Sequence, residues 1–286
     1  MQTVTTLPQL RQAVDELRTS GQIALVPTMG ALHDGHLTLM REAAKVADHV
    51  AASIFVNPRQ FGPNEDLDAY PRQLAEDSEK LEAEGVALLW APDAAAMYPQ
   101  GYATNISVSG VSGGLCGGNR PGHFDGVATV VCKLFNQVRP DMALFGEKDW
   151  QQLAVIRRMA RDLDLVLPTA EAIIGVPTVR EADGLAMSSR NAYLSASDRA
   201  AAATLPRAMQ EAIARIADGQ EVSATLAMLE DALLRAGFAS VDYAELRDAD
   251  TVALLDTDNE NARLFIAARI GSTRLIDNMP VAIRKH

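Results

Sequence analysis

Five short apolar runs with no polar alternation limit this chain more than any other feature. They are Gln22–Val26 (QIALV), Val50–Val56 (VAASIFV), Val86–Trp90 (VALLW), Met142–Phe145 (MALF) and Ala172–Val176. Side chains alternate across a strand, so a strand that is apolar at every position must be covered on both faces. Between the runs lie Leu37–Val46, Pro71–Gly85, Phe124–Val138 and Trp150–Asp162, all of which read as helices. In Pro71–Gly85 the inward face is Leu74, Ala75 and Leu81, and Gly85 ends the helix. Strands alternating with helices predict an α/β fold with a parallel sheet. Such sheets bind ligands beyond the carboxyl ends of their strands.

The N-terminal segment MQTVTTLPQLRQAVDELRTSG has Leu7, Leu10, Val14 and Leu17 at helical spacing. With acidic residues and no apolar centre, it reads as an amphipathic helix and not as a signal peptide. No apolar run approaches the length of a membrane span. After Val179 the texture changes. Ala196–Ala217 and Val222–Ala236 are alanine-rich helices, and Val241–Leu246, Arg263–Ile270 and Thr273–Asp277 look like alternating strands. The expected division is residues 1–178 as a larger domain and 179–286 as a small α+β domain.

The formal net charge is -11. A chain of that sign repels nucleic-acid phosphates and anionic membranes, so no nucleic-acid or membrane partner is expected. A small anionic substrate needs a local positive site. Cys116 and Cys132 make neither a CxxC pair nor metal spacing, and read as thiols in a reducing cytosol.

The segment PTMGALHDGH, Pro27–His36, joins a strand to a helix. The first turn of a helix exposes free N–H groups and the positive end of the dipole, where anions bind. His33 and His36 are three apart, so both rings lie on one side of that turn. Two imidazoles can donate to phosphate oxygens as a phosphorus–oxygen bond breaks. Gly30 and Gly35 let the backbone come close to a ligand. The alternative is a helix cap with two surface histidines.

GEKDWQQ, Gly146–Gln152, sits at a second strand-to-helix junction. Lys148 is a point charge suited to phosphate. Asp149 could cap the helix or hold a ribose hydroxyl, and Gln152 could face the site. In GLAMSSRNAYLS, Ser188, Ser189 and Arg190 set two hydroxyls beside a guanidinium, which suits triphosphate oxygens. The other reading is a serine-rich turn capping the next helix. In FVNPRQFGPNEDLDAYPR, Gln60 follows a strand end with Asn57 nearby, and its amide could bond a polar substrate. Arg120 and His123 precede a helix in RPGHFDGV, and His123 reads as structural. Asp77 and Glu76 are candidate metal ligands, against the alternative of a solvated helix face.

In order, PTMGALHDGH, FVNPRQFGP, RPGHFDGV, LFGEKDWQQL, GVPTVREADGLAMSSRN and IGSTRLIDN closely resemble the pantothenate synthetase (pantoate–β-alanine ligase) family from Val26 to about Leu194, and less sharply beyond. The resemblance implies a Rossmann-like nucleotidylyltransferase domain and a smaller C-terminal lid domain. HDGH and MSSR look like the HIGH and KMSKS elements of class I aminoacyl-tRNA synthetases.

The implied reaction is ATP-dependent condensation of pantoate with β-alanine through a pantoyl adenylate, with Mg²⁺, in a cytoplasmic homodimer on the route to coenzyme A. Carried over, Met29, Gly30, Ala31, Leu32, His33, Asp34, Gly35 and His36 line the ATP site, with His36 as proton donor. Gly146, Glu147, Lys148, Asp149, Val179, Met187, Ser188, Ser189 and Arg190 complete it. Gln60 and Gln152 hold pantoate, and Gln60 also lies beside β-alanine. Two departures stand out: Cys116 replaces the glutamate of the usual LEG, and Val166–Ile174 is expected to form a longer surface loop.

Three rivals remain at this level. A nucleotidylyltransferase acting on a phosphorylated acceptor would need a basic acceptor site, against the neutral Gln60 and Gln152. A tRNA synthetase would need an anticodon domain and a different charge. A nucleotide sensor would bind ATP without turnover.

Overall fold

The computed structural model describes residues 1–63, 67–257, 259 and 261–281, and the chain divides into two units, 1–112 with 120–177 and 113–119 with 178–286. In chain order the elements are β1 (Gln2–Val4), α1 (Leu7–Arg18), β2 (Ile23–Thr28), α2 (Asp34–Val46), β3 (His49–Ile54), α3 (Leu74–Ala83), β4 (Leu88–Trp90), α4 (Ala94–Met97), α5 (Leu115–Asn119), α6 (His123–Val138), β5 (Met142–Gly146), α7 (Trp150–Asp162), β6 (Ile173–Val176), α8 (Ala196–Ala202), α9 (Thr204–Ala217), α10 (Val222–Arg235), β7 (Ser240–Asp248), β8 (Ala262–Ile270) and β9 (Thr273–Pro280). Of these, α5 belongs to the second unit. No helix of the described residues is long and apolar enough to cross a membrane.

The first unit holds a six-stranded sheet in the order β1-β4-β3-β2-β5-β6, and every pair is parallel. The expected parallel sheet is therefore present. From β2 the chain builds outward through β3 and β4, then returns to add β5 and β6 on the other side. The reversal falls between β2 and β5, which is the switch point where doubly wound sheets bind ligands. The Pro27–His36 segment leaves the end of β2, and Gly146–Asp149 leaves the end of β5. Ala24, Val26, Ala52, Leu89 and Leu144 pack in one core cluster with Leu39, Met40 and Ala43 of α2.

Boundaries differ from expectation in explicable ways. The strand β1 was not expected, because a three-residue edge with two exposed positions has no apolar run to read. The expected helix Ala196–Ala217 breaks at Ala203 into α8 and α9. Pro206 lacks an N–H and would clash with the carbonyl of Ala202 in a continuous helix; the break places it in the first turn of α9. Helix α3 begins at Leu74, not Pro71. Val166 is exposed in the loop before β6, which closes with a 3-10 turn at Ala170–Ala172.

The second unit is an antiparallel sheet, β7-β8-β9, with α8, α9 and α10. Leu205, Met209, Ala212 and Ile216 of α9 and Leu229 and Leu233 of α10 pack with Leu246, Leu264 and Ile266 of the sheet. The central strand β8 does not alternate as expected: all its residues except Arg269 are buried.

Candidate active site

The turn after β2 is held by side chains of β2 and α3 and a backbone carbonyl of β3. Thr28 Oγ1 donates to Ser53 O on β3 (2.8 Å) and accepts the N–H of Gly30 (3.2 Å). Gly30 (φ 84°) and Ala31 (φ 52°) take the left-handed conformation, which turns the chain back toward the sheet. The N–H groups exposed by that bend point at one carboxylate. Asp77 Oδ2 accepts from Ala31 (2.8 Å) and Oδ1 from Leu32 (2.9 Å). Lys80, one turn along α3, donates to Leu32 O at 3.0 Å.

Asp77 was expected on a solvated face or as a metal ligand. It is 1% exposed, and both of its oxygens are committed to the turn, so neither reading survives. Glu76 is exposed and pairs with Lys80 at 2.8 Å. Sequence reading missed the role of Asp77 because its partners are backbone groups some 45 residues away, which leave no motif.

His33 caps α2, and His36 occupies its first turn. Their ring centroids lie 4.0 Å apart with planes tilted by 35°. The N–H of His33 donates to Nδ1 of His36 at 3.4 Å, while His33 Nδ1 is buried with no hydrogen-bond partner among the described residues. Burial, with the positive charge of Lys148 next, pushes the His33 pKa down to about 4 against the opposing carboxylates of Asp149 and Asp34. Burial, then His33 and Lys148, push His36 down to about 3. Both rings are neutral at physiological pH, and the Lys148 charge acts on both. Lys148 is itself half-buried in the 3-10 turn Glu147–Asp149 and lies 3.7 Å from Asp149 Oδ2. These neutral donors and one cation flank the β2/β5 switch point. Asp34 is exposed and pairs with Arg41.

Gln60 ends a 3-10 turn, Pro58–Gln60, that opens at the end of β3. Four residues hold it. Gly126 of α6 lies so close that a Cβ there would come within 2.3 Å of Arg59 O and 2.8 Å of Gln60 N. His123 Nδ1 donates to Gln60 O (2.8 Å), and Arg120 donates to the same oxygen (3.2 Å) and to His123 Nε2 (3.0 Å). The arginine cannot accept, so His123 carries its proton on Nδ1 and serves as a brace. Asn57, 1% exposed, donates from Nδ2 to Gln60 Oε1 (3.1 Å) and to Gly126 O (3.1 Å). With its oxygen committed to Asn57, Gln60 turns its NH₂ toward Met29 Sδ, 3.0 Å away. Sulfur is a weak acceptor, so that amide remains a good donor for a substrate oxygen.

Gln151 and Gln152 separate. Gln151 is buried and donates to Val111 O (3.1 Å), a structural bond. Gln152 is half-buried, and its side chain makes no hydrogen bond among the described residues.

In the second unit, Met187 N–H donates to Val179 O (3.0 Å), and Arg180 bridges Ala186, so the chain from Val179 to Met187 folds back on itself. Arg180 grips Asp277 of β9 with two bonds, 2.7 and 3.0 Å, and donates to Gly184 O at 3.0 Å. Ser188 Oγ accepts the N–H of Arg190 (3.2 Å) and opens the 3-10 turn Ser189–Tyr193. Thus Ser188, Ser189 and Arg190 follow a hairpin pinned to the sheet by Asp277. Cys116 lies in the same unit, its sulfur 3.2 Å from the Tyr243 hydroxyl and 3.5 Å from the Arg274 guanidinium that bonds Asp242.

Among the described residues, no group of three or more His, Cys, Asp or Glu side chains could hold a metal ion.

A family model for pantoate-beta-alanine ligase matches residues 2–280. The pantothenate synthetase of Novosphingobium aromaticivorans is 69% identical over 98% of this chain and 99% of its own. A crystal structure of pantothenate synthetase from Thermus thermophilus superposes with a TM-score of 0.92 at 45% identity, covering 99% of this chain and 100% of that one. A pantoate-beta-alanine ligase from Francisella tularensis, complexed with beta-gamma ATP and beta-alanine, gives a TM-score of 0.81 at 34% identity over 98% of this chain and 97% of its own. With matches that span almost the whole chain, this protein belongs to the pantoate-β-alanine ligase family.

Proposed function

We propose that this protein condenses pantoate with β-alanine at the expense of ATP, releasing AMP and pyrophosphate through a pantoyl adenylate. The observation that carries the reading is the juxtaposition at the β2/β5 switch point of a neutral histidine pair with the Lys148 cation. Close by in the same unit, the Gln60 amide presents N–H donors.

In the first step a pantoate carboxylate oxygen attacks the α-phosphorus, and the bond to the β-phosphate oxygen breaks. His33, His36 and Lys148 stabilise the charge that grows on the leaving pyrophosphate. Met29, Gly30, Ala31, Leu32, Asp34 and Gly35 shape the turn against the nucleotide. Gly146, Glu147 and Asp149 border it from the β5 side. In the second step the neutral amine of β-alanine attacks the acyl carbon, AMP leaves with the bridging oxygen, and the amine loses its proton to solvent. Gln60 and Gln152 hold pantoate, and Gln60 also faces the β-alanine position. Val179, Met187, Ser188, Ser189 and Arg190 add hydroxyls and a guanidinium for the phosphates, and their unit acts as the lid. The working division is 1–178 and 179–286.

His36 acts as a hydrogen-bond donor in this scheme. Burial holds its pKa down to about 3 in the ligand-free chain, so the ring meets ATP neutral, as an N–H donor. Mg²⁺ belongs to the reading as the ion that neutralises the triphosphate. Asp77 is unavailable to it, since both of its oxygens are bonded to the turn. A cytoplasmic homodimer completes the proposal, on family resemblance.

The test is pyrophosphate release from ATP by the purified chain. It is expected only when pantoate is present, with pantothenate formed once β-alanine is added. Release without pantoate, or none at all, would sink the proposal.

A further inference from the structure

A tyrosine that belongs to none of the sequence motifs faces the back of Gln60's support. Tyr98 follows α4 and donates from its hydroxyl to Asn57 Oδ1 at 2.9 Å. The other donor to that oxygen is the backbone N–H of Arg59, at 3.3 Å. The orientation of the Asn57 amide is not a free choice. A backbone N–H can only donate, and the Gly126 carbonyl, 3.1 Å from Asn57 Nδ2, can only accept. The oxygen of Asn57 therefore faces Tyr98, and its NH₂ faces Gln60 Oε1. From Tyr98 to Gln60 the bonds run in one direction, each donor to the next acceptor, and end with the Gln60 NH₂ directed away from the chain of bonds.

The ring of Tyr98 is clamped. Tyr102 packs edge-on with centroids 5.0 Å apart, Phe55 lies 6.1 Å away, and the Arg59 guanidinium sits 5.6 Å from the ring centre. The same guanidinium donates to Asn105 Oδ1 at 3.0 Å. Burial pushes the Tyr98 pKa up to about 12, so its hydroxyl keeps its proton across any ordinary assay range.

We propose that Tyr98 is a positioning residue for the acyl substrate: through Asn57 it holds the Gln60 amide with its NH₂ presented as a donor, so the site reads an oxygen acceptor on the substrate. This rests on Gln60 being the pantoate residue. The relay acts on the acid and not on the nucleotide. Its bonds run from Tyr98 through Asn57 to Gln60, and none of these three side chains belongs to the phosphate grip of His33, His36 and Lys148.

Tyr98→Phe removes the hydroxyl and keeps the clamped ring. A neutral hydrogen bond contributes about 0.5–1.5 kcal/mol, so the pantoate KM should rise roughly two- to tenfold, with the ATP KM nearly unchanged and the melting temperature lower by only a few degrees. Asn57→Asp removes the donor facing Gln60 and should raise the pantoate KM further. An unchanged pantoate KM in Tyr98→Phe, or equal rises for pantoate and ATP, overturns the relay. Proton exchange at the Asn57 side-chain amide, followed by NMR without substrate, should speed up in Tyr98→Phe. Unaltered exchange also overturns the relay, and this readout stands even if the wild-type protein shows no pantoate-dependent turnover.

Discussion

The backbone N–H of His33 donates to Nδ1 of His36 across 3.4 Å. An acceptor at Nδ1 places the proton of a neutral imidazole on Nε2. The turn thus fixes which edge of His36 carries its N–H. The rings lie 4.0 Å apart, and both stay neutral chiefly because burial penalises their charged forms, with repulsion from Lys148 added at each and from His33 at His36.

The first expected outcome concerns pH. In imidazole NMR titrations of the free protein, His33 should titrate near 4 and His36 near 3, and bound ATP should move both upward, since phosphate charge favours the protonated rings. The folded pKa values lie below the unfolded value of 6.5, so between them the unfolded chain binds more protons. The stability associated with the neutral pair is present above pH 6.5 and is lost as pH falls through 4 toward 3. Denaturant midpoints measured from pH 7 downward should therefore fall less steeply in a His33→Gln, His36→Gln double variant than in the wild type. Parallel slopes would exclude the pair as a source of acid sensitivity.

Five of the six sheet strands were legible because burial on both faces writes itself into the sequence as unbroken apolar runs, while the exposed edge β1 left none. HDGH and GEKD were legible because each is local, a few residues at a strand end. What supports the Pro27–His36 turn and Gln60 was not. Asp77 bonds two backbone N–H groups, and any sequence supplies backbone. Tyr98 reaches Asn57 across 41 residues, and Gly126 matters only because the Pro58–Gln60 turn lies against it. Long-range bonds to backbone and close approaches carry no periodicity, so they come into view only with the fold.

Asp77→Asn tests the strongest of these supports. The amide keeps one acceptor and turns an NH₂ against the other N–H of the Ala31–Leu32 turn. Hydrogen bonds to a charged group contribute about 1.5–3 kcal/mol, and losing one in a site 1% exposed should lower stability by about that amount. The shape of the Pro27–His36 turn should suffer with it. The ATP KM is expected to rise roughly tenfold or more while the pantoate KM holds, since each 1.4 kcal/mol is a factor of ten. If ATP binds within twofold of normal, Asp77 does not set the turn.

The pair Arg180–Asp277 separates stability from function in the second unit. The Asp277 side chain is fully buried and Arg180 is 25% exposed, so removing either partner strands a charge. Arg180→Ala or Asp277→Ala should each cost about 3–5 kcal/mol in denaturant unfolding. Replacing both together, as Arg180→Met with Asp277→Leu, removes the stranded charge and should recover most of that loss, since apolar pairs of similar volume often match a buried ion pair. Turnover should not recover with it. The salt bridge and the bond to Gly184 O shape the segment from Val179 to Met187, from which Ser188, Ser189 and Arg190 emerge, and no apolar pair supplies those bonds. A double variant that is stable and fully active would show that the hairpin needs no ionic brace to present these three residues.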